Sequence, residues 1–267
     1  MGDSIYWTFH FFWRILLEKV IQIKTLSYRY PDGIKALNNI SFDISYGERV
    51  GIIGPNGAGK TTLFLCMMGL ITGWEGDVVL FSLSMKDKKN HPIVRKKISI
   101  VFQNADDQLI SPTVFDDVAF GLLNHNFSRD EIPKRVKKSL NDVGLNGFSN
   151  RLPFHLSGGE KRRVCLAGAL AIEPEVLLVD EPTSDLDPRG KRKIKEILNS
   201  LNNTRIISSH DLEFILDTCD RVIVLDEGKI VADGIAKEIL SDESLMLAHG
   251  LEKPHSLSPH VIPHHYR

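Results

Sequence analysis

Residues 54–61 read Gly-Pro-Asn-Gly-Ala-Gly-Lys-Thr, and this stretch decides the fold of the 267-residue chain. The residues before it, 48–53, are typical of a buried strand, and the residues after it, 62–68, are typical of a helix. A glycine-rich turn in this position can aim several backbone N–H groups at a phosphate, and the helix N-terminus adds its positive dipole end. We therefore predict a phosphate-binding loop; the alternative is a glycine-rich turn without a ligand.

Side chains suited to nucleotide chemistry close this loop and end a later strand. Lys60 is expected to reach the β- and γ-phosphates, and Thr61 the Mg²⁺ ion. Asp180 and Glu181 follow the apolar stretch 176–179, and burying both acids without a partner would be costly. Mg²⁺ and its water are the simplest partner: Asp180 would hold the ion through a water molecule, and Glu181 would polarise the attacking water. The alternative, two acids that cap the next helix, explains either acid alone but not the pair.

Composition limits the classes of function that fit the chain. Lysine and arginine number 33 against 34 aspartate and glutamate, so the net charge of −1 gives no positive field for nucleic acid. The three cysteines are odd in number and widely spaced, as in a cytosolic protein with reduced thiols. The sequence has no uncharged apolar run long enough to span a bilayer, so we expect membrane association to come through a partner.

Strand and helix signals alternate along the chain. The strand-like stretches are 20–28, 41–44, 48–53, 76–81, 98–102, 176–180, 204–208 and 221–225. The helix-like stretches are 62–68, 113–123, 129–143, one from about 157 onward, 191–201 and 212–218. This order predicts an α/β fold with a mostly parallel sheet, a leading β-rich edge and an inserted helical lobe at about 106–169. Ligands of such sheets bind beyond the carboxyl ends of the strands, where Gly54, Gln103, Asp180 and His210 fall.

Taken together, these segments resemble the ATP-binding cassette (ABC) family from about residue 20 to residue 240. By that resemblance, 54–61 is the Walker A loop and 176–180 is the Walker B strand. The stretch Leu-Ser-Gly-Gly-Glu at 156–160 is similar to the family signature, and 184–187 is similar to its D-loop. Gln103 would be the Q-loop glutamine and His210 the switch histidine. The resemblance implies a P-loop NTPase fold with a leading antiparallel β subdomain and an inserted helical subdomain.

The resemblance also implies an ATP hydrolase that uses ATP and Mg²⁺. The catalytic side chains would be Lys60, Gln103, Glu181 and His210. The side chains that hold the metal would be Thr61, Gln103 and Asp180. The residues that contact the nucleotide would be Tyr30, Gly54, Pro55, Asn56, Gly57, Ala58, Gly59, Lys60, Thr61, Thr62, Ser157, Gly158, Gly159, Glu160 and Asp187. Tyr30 would stack on the adenine, with Tyr28 as a close alternative.

The signature segment implies that two subunits cooperate. Ser157, Gly158 and Gly159 open a helix and form an anion site, but this site lies on the helical lobe, away from the chain's own phosphate loop. In the family, each signature caps the ATP held by the other subunit of a head-to-tail dimer. With one Walker A loop and one signature, the chain is expected to pair with a second ATPase subunit. We expect a homodimer; a related partner chain is the alternative.

Further stretches are similar to the energy-coupling-factor (ECF) branch and to its cobalt and nickel members. They are 102–109, 111–121 and 187–190. This similarity implies a peripheral subunit, on the cytoplasmic face of the cell membrane, that energises integral membrane subunits importing cobalt or nickel. Ser184 and Asp185 depart from the branch, where small or apolar residues are commoner in the D-loop.

Other functions remain as alternatives. One is an importer ATPase for another micronutrient, and a second is a non-transport ABC ATPase acting on nucleic acid, which the near-neutral charge disfavours. A nucleotide kinase would give residues 156–160 no role, and a metal-storage protein would leave the nucleotide motifs without one.

A groove for a helix of the membrane subunit is predicted near residue 110. Apolar and acidic side chains would line it: Leu109, Phe115, Phe120, Asp106, Asp107, Asp116 and Asp117. The alternative is ordinary helix packing with a solvated acidic face. 

Both ends of the chain carry unusual composition. Residues 1–19 form an aromatic extension that would be an interfacial anchor, a packed helix or an extension read from an upstream start codon. Residues 241–267 form a tail rich in histidine, either a flexible chelator of Ni²⁺, Co²⁺ or Zn²⁺ or a disordered tail without metal.

Overall fold

The computed structural model describes residues 18–258. Almost all of the aromatic extension, and the end of the tail with His260, His264 and His265, lie outside the described residues.

The strands and helices follow one another in a mixed order. The strands are β1 (Lys19–Arg29), β2 (Lys35–Ser45), β3 (Arg49–Ile53), β4 (Glu75–Leu80), β5 (Leu83–Ser84), β6 (Ile98–Val101), β7 (Val176–Asp180), β8 (Thr204–Ser208), β9 (Arg221–Asp226) and β10 (Lys229–Ile235). The α-helices are α1 (Lys60–Met67), α2 (His91–Arg95), α3 (Val114–Asn124), α4 (Ile132–Asp142), α5 (Gly158–Ala171), α6 (Pro188–Ser200), α7 (Leu212–Thr218), α8 (Ala236–Ser241) and α9 (Glu243–Ala248).

The first strands build an antiparallel sheet in the order β2-β1-β4-β5. Ile23 of β1 is in register with Phe42 of β2 on one side and with Val78 of β4 on the other, so β1 is central. Along β2, Ile40, Phe42 and Ile44 are buried and the residues between them are not. This alternation is expected when one face of a strand packs on a core.

The larger sheet has the order β10-β9-β3-β8-β7-β6. Its strands run parallel except for β10, which pairs antiparallel to β9 at the edge. Every residue of β7 and β8 is buried, as expected for strands covered on both faces. Because β3, β8 and β7 are parallel neighbours, their last residues, Ile53, Ser208 and Asp180, lie at one edge of the sheet.

Apolar cores cover both faces of the larger sheet. Leu177 and Val179 of β7 belong to a core shared with α3, α4, α5, α6 and α7. Val176 and Leu178 belong to a second core, completed by α1 and by the antiparallel sheet. Alternate residues of one strand therefore serve opposite layers. The predicted fold class, with a mostly parallel sheet, a leading antiparallel part and a group of helices, is confirmed.

Some elements differ from the prediction. β2 begins at Lys35 rather than at residue 41, because the polar residues 38 and 39 interrupt the apolar alternation and Asn39 has a positive φ of 57°. β10 was not predicted, since it is an edge strand whose residues are at least partly exposed. Of the described helices, none has the length and apolar character needed to cross a membrane.

Candidate nucleotide site

The phosphate loop folds in a way that requires glycine. Gly54 has a φ of 149°, and a Cβ there would lie 2.0 Å from the carbonyl oxygen of Leu225. Gly59 has a φ of 104°, and a Cβ there would lie 2.4 Å from the carbonyl oxygen of Ala36. No L-residue fits such positions without moving the backbone of the neighbouring segment. Helix α1 begins directly after this turn, at Lys60, so the order of strand, loop and helix is as predicted.

Lys60 lies folded back over the loop. Its Nζ donates to the carbonyl oxygens of Gly54, at 2.7 Å, and Pro55, at 3.2 Å. The same atom lies 3.9 Å from Oε1 of Glu181. Burial lowers the pKa of Lys60, and the nearby carboxylates of Glu181 and Asp180 oppose that shift. A phosphate would supply the counter-charge that this buried ammonium group favours.

The two adjacent acids are bonded to the phosphate loop and to the neighbouring strand. Asp180, which is 1% exposed, accepts a hydrogen bond from the hydroxyl of Thr61 at 2.7 Å through Oδ2, and another from the hydroxyl of Ser208 through Oδ1. The backbone N–H of Glu181 donates to the carbonyl oxygen of Ser208 at 2.9 Å. This bond fixes the backbone of Glu181 at the end of the sheet, where the residue has a positive φ of 46°.

His210 is in direct contact with Glu181. Its Nδ1 lies 2.8 Å from Oε2 of Glu181, and its backbone N–H donates to the same oxygen at 3.3 Å. The imidazole is exposed whereas the carboxylate is buried. The structure thus brings together Thr61, Asp180, Glu181 and His210, which are up to 149 positions apart in the sequence.

The donor set fits Mg²⁺. The hydroxyl of Thr61 and the carboxylate of Asp180 are hard oxygen ligands, and Gln103 lines the same cavity over the phosphate loop as Thr61 does. Mg²⁺ is usually held by one or two carboxylates together with substrate phosphates. Within residues 18–258 there is no group of three or more His, Cys, Asp or Glu that would form an all-protein metal site.

A cleft of about 1110 Å³ opens over the phosphate loop. Tyr30 lines it, and the phenol oxygen of Tyr30 lies 3.1 Å from the hydroxyl of Thr62. Tyr28 packs edge-on against Tyr30, with ring centroids 5.0 Å apart, and is partly buried against the apolar core. The geometry therefore favours Tyr30 over Tyr28 as the aromatic that would meet a base.

Part of the predicted site lies elsewhere. In the described chain, the signature residues 157–160 and Asp187 do not line this cleft. Ser157 caps α5 together with Glu160: the backbone N–H of Ser157 donates to Oε2 of Glu160 at 2.8 Å, and that of Glu160 to Oγ of Ser157 at 3.4 Å. Asp187 caps α6 by accepting from the backbone N–H of Gly190 at 2.7 Å.

Two parts of the site were not expected from the sequence. Ser208 donates to Asp180, and its signal was a hydroxyl at the end of a strand, directly after two isoleucines. Residues 250–255, from the predicted histidine-rich tail, also line the cleft. The expectation of a flexible or disordered tail is wrong for residues 250–258, because Leu251 and Pro254 are buried and Ser256 is bonded to Glu213.

A second cavity, of about 610 Å³, lies between α3, α5 and the end of β6. Of the side chains predicted to form a groove, Leu109, Phe120, Asp107 and Asp117 line it. Three others are engaged elsewhere. Asp106 pairs with Lys161 at 2.6 Å, Asp116 accepts from the hydroxyl of Thr113 at 2.5 Å, and Phe115 packs against the core.

Comparison with known proteins identifies the family. The family model described as ABC transporter matches residues 37–184. The energy-coupling factor transporter ATP-binding protein EcfA of Methanocaldococcus jannaschii is 46% identical over 239 residues, which are 88% of this chain and 86% of that protein.

Two solved structures share the fold. CbiO1 from Clostridium perfringens, described as part of the ABC transporter complex cbiONQ, has a TM-score of 0.76 at 36% identity and covers 86% of this chain and 94% of its own. The dimeric bacterial ABC transporter cassette MJ0796 has a TM-score of 0.74 at 31% identity and covers 81% and 98%. The same cassette has been solved in a post-hydrolysis state with ADP and Pi. The predicted family is confirmed: the chain belongs to the ABC transporter family, and it is an ATP-binding ATPase of that family.

Proposed function

We propose that this chain is the ATPase subunit of an ECF-type importer, peripheral to the cytoplasmic face of the cell membrane, and that the importer takes up cobalt or nickel. The observation that carries the ATPase assignment is the bonded cluster of Thr61, Asp180, Glu181 and His210 beside a glycine-dependent phosphate loop. We assign residues 20–240 to the ATPase domain, with a helical subdomain at about 106–169.

The roles of the cluster follow from its contacts. Glu181 would act as the base toward the attacking water, because the hydrogen bond from His210 orients its carboxylate over the cleft. His210 would then donate toward the γ-phosphate, and Lys60 would exchange its carbonyl partners for phosphate oxygens. Gln103, which is exposed at the cleft, would contact the metal or the water.

Mg²⁺ would be held by Thr61, Asp180 and Gln103. When bound, it would supply Lewis acidity and neutralise charge on the phosphates. The glycines and Asn56 of the loop would cradle the phosphates, and Tyr30 would stack on the adenine.

The signature supports a head-to-tail dimer. Gly158 opens α5, and apart from its chain neighbours and its own helix backbone, a Cβ placed on it would meet no atom of residues 18–258 within 4 Å, so this helix end is open to another molecule. An open helix N-terminus with glycine at its first turn suits the phosphates of a nucleotide. We propose that residues 157–160 and Asp187 contact the ATP bound by a second copy of this chain.

The second cavity supports a membrane partner that presents a cation. Oδ1 of Asp117 accepts the backbone N–H groups of Ile110, at 3.0 Å, and Ser111, at 2.9 Å. Oδ2 of Asp117 is buried and has no hydrogen-bond partner among residues 18–258. An unsatisfied carboxylate oxygen in a partly apolar groove favours a guanidinium donor. We propose that a helix of an integral membrane subunit, bearing arginine, occupies this groove.

Light scattering in ATP and Mg²⁺ tests the nucleotide half of the proposal. Glu181→Gln keeps the size of the side chain but removes the base, so the variant should bind ATP without hydrolysing it and should accumulate as a dimer. The matched control is Glu196→Gln, an exposed acid on α6 that pairs only with Lys193 in the described residues. A Glu181→Gln variant that stays monomeric at saturating ATP would contradict the homodimer.

Uptake measurements test the solute. The chain would be co-expressed with its membrane subunits in a host that lacks cobalt and nickel uptake, and radiolabelled Co²⁺ and Ni²⁺ would be followed. Uptake that requires intact Glu181 supports the proposal. Uptake of neither ion by an assembled, ATP-hydrolysing complex would favour the alternative, another micronutrient. Copurification of nucleic acid in place of membrane subunits would favour the non-transport alternative.

A further inference from the structure

The C-terminal segment, residues 249–258, runs along one side of the nucleotide cleft. Residues 250–255 line the cleft together with the phosphate loop, Glu181 and His210. The segment lies beyond the stretch that the family model matches, 37–184. It has no part in the roles proposed above, although it borders the same space.

Polar contacts fasten the segment at both ends. At its start, Nδ1 of His249 lies 2.8 Å from Oδ2 of Asp226, the last residue of β9. Near its end, Ser256 donates twice to Glu213 of α7, from the backbone N–H at 2.9 Å and from the hydroxyl at 2.6 Å. These two bonds hold the pKa of Glu213 below its usual range. The segment is therefore tied to the strand and the helix that flank the cleft.

Apolar packing fixes the backbone between these ties. Leu251 is 7% exposed, and its backbone N–H donates to the carbonyl oxygen of Met246 at 2.9 Å. Pro254 is buried, and Leu257 packs against the core that contains Leu212. Because the backbone is held, residues 252–255 line the cleft from an ordered stretch of chain rather than from a loose tail.

The wall lies on the catalytic side of the cleft. Glu213, to which Ser256 is bonded, comes three residues after His210, and His210 contacts Glu181. The cleft lining is acidic here, with Glu181, Asp211, Glu213 and Glu252. 

The segment adds a lysine, Lys253, to this lining. Lys253 is half-buried and makes no ion pair with a carboxylate of residues 18–258. A lysine that borders a cleft and has no carboxylate partner there can pair with an anionic ligand. The anion that the proposed function brings into this cleft is the triphosphate of ATP.

We propose that the C-terminal segment is a built-in wall of the nucleotide site and that Lys253 binds the phosphates of the nucleotide from this wall. The proposal rests on the proposed function, because it requires ATP in the cleft. It adds a phosphate contact supplied by the same chain, about 190 positions after the phosphate loop.

Calorimetric titration of the full chain with MgATP tests the contact, in a Glu181→Gln background that prevents hydrolysis. Lys253→Ala should raise the dissociation constant about tenfold, and Lys253→Arg should restore most of the affinity. Ser256→Ala, which loosens the wall and leaves Lys253 in place, should raise it about threefold. The matched control is Lys229→Ala, an exposed lysine of β10 outside the cleft lining, which should change nothing.

The outcomes separate the two proposals. If the background protein binds no MgATP, the proposed function fails and this proposal fails with it. If the background protein binds and Lys253→Ala binds equally well, this proposal alone is overturned. If Lys253 contacts phosphate, Lys253→Ala should weaken ATP binding more than AMP binding, and the difference between the variant and the background protein should shrink at high salt. An equal loss for ATP and AMP would overturn the assignment to phosphate.

Discussion

The nucleotide cleft and the signature helix differ in how much of each one chain can build. In the cleft, Thr61 and Ser208 donate to Asp180, and His210 contacts Glu181. At the signature, Ser157 and Glu160 bond mainly to each other, and the first turn of α5 is open. The cleft residues make their polar contacts within one chain, whereas the signature leaves an open surface that the proposed dimer would cover. Under the proposed dimer, nucleotide capture would take place within one chain and activation of hydrolysis would need the second chain.

The largest expected effect comes from disabling each half in turn. Lys60→Ala removes the ammonium group that would bind phosphate, so nucleotide binding and hydrolysis should both be lost. Ser157→Arg fills the open turn with a bulky cation. Binding of ATP to the isolated chain should then persist, while hydrolysis should fall on the order of 100- to 1000-fold, as when a transition-state donor is removed. Fluorescent nucleotide titration and phosphate release measure the two quantities separately.

Ser128→Arg is the matched control for the signature variant. Ser128 bonds to Glu131 at the start of α4, through its hydroxyl at 2.8 Å and its backbone N–H at 3.3 Å, much as Ser157 bonds to Glu160. Ser128→Arg should lower the free energy of unfolding by about as much as Ser157→Arg does, and it should leave ATP hydrolysis unchanged. If Ser157→Arg abolishes ATP binding by the monomer, the division of labour is wrong.

The next largest effect is expected in the groove, because one carboxylate oxygen of Asp117 is hydrogen-bonded within the chain and the other has no partner in residues 18–258. Asp117→Asn keeps one oxygen for the N–H groups of Ile110 and Ser111 but replaces the unpaired carboxylate oxygen with an amide donor. Capture of the membrane subunits should weaken about tenfold, or about 1.4 kcal/mol, while the ATPase activity of the isolated chain stays unchanged.

Copurification of the complex in detergent measures this weakening. Asp106→Asn and Asp116→Asn are controls, since those acids are engaged with Lys161 and Thr113. If the controls weaken capture as much as Asp117→Asn does, a general acidic surface is responsible and the specific contact is excluded.

The phosphate loop and the Walker B strand could be predicted because local sequence dictates them. Gly54 and Gly59 are forced by positive φ and by close backbone approach, and β7 is a continuous apolar run. The positions of the other motif residues could also be predicted, because the carboxyl ends of parallel strands lie at one edge of the sheet. The role of Ser208 could not be predicted, because a serine at a strand end has many possible roles. Only the pairing of β7 with β8 aligns it with Asp180.

The parts that could not be predicted depend on contacts distant in sequence. The histidines and prolines at the end of the chain favour a flexible tail. In the structure, however, Ser256 donates a hydrogen bond to Glu213, which lies 43 positions earlier in the sequence. In the groove, the sequence does not distinguish the four aspartates from one another. The fold shows that Asp117 keeps an unpaired oxygen, whereas Asp106 and Asp116 are engaged. Composition shows which groups are available, and the fold shows which of them remain unsatisfied.

Removing Ser208 gives a smaller effect, confined to the cleft. Ser208→Ala leaves Oδ1 of Asp180 without its hydroxyl donor, which should cost about 1–2 kcal/mol in the free energy of unfolding. Urea denaturation measures this loss, and Mg²⁺ with ATP should offset part of it because the ion would compensate the carboxylate. The matched control is Ser200→Ala, whose hydroxyl donates at 2.7 Å to the carbonyl oxygen of Ile197 within α6. Equal loss in both variants would show that the bond to Asp180 is not special.

The smallest effect uses the cysteines as reporters of the two regions. Cys66 lies on α1 beside the phosphate loop and Cys165 on the signature helix α5; both are buried, and burial raises both pKa values from 9.0 to about 12. Since the folded-state values are the higher ones, these thiols add stability that is fully present below pH 9 and is lost as the pH rises toward 12.

Alkylation at pH 8 should therefore be slow for both cysteines in the folded chain, because few thiolates form and access requires local opening. MgATP should slow the reaction of Cys66 further in the monomer, because nucleotide would bind the loop that precedes α1. MgATP should leave the alkylation rate of Cys165 unchanged as long as the chain is monomeric. In Glu181→Gln at high protein concentration, where a dimer should form, MgATP should slow the alkylation of both cysteines. Mass spectrometry of the labelled peptides measures the two rates, and Lys60→Ala is the control in which MgATP should protect neither. Equal protection of Cys165 by ATP in a verified monomer would mean that the signature helix responds to nucleotide within its own chain, and the contrast between the two regions would not hold.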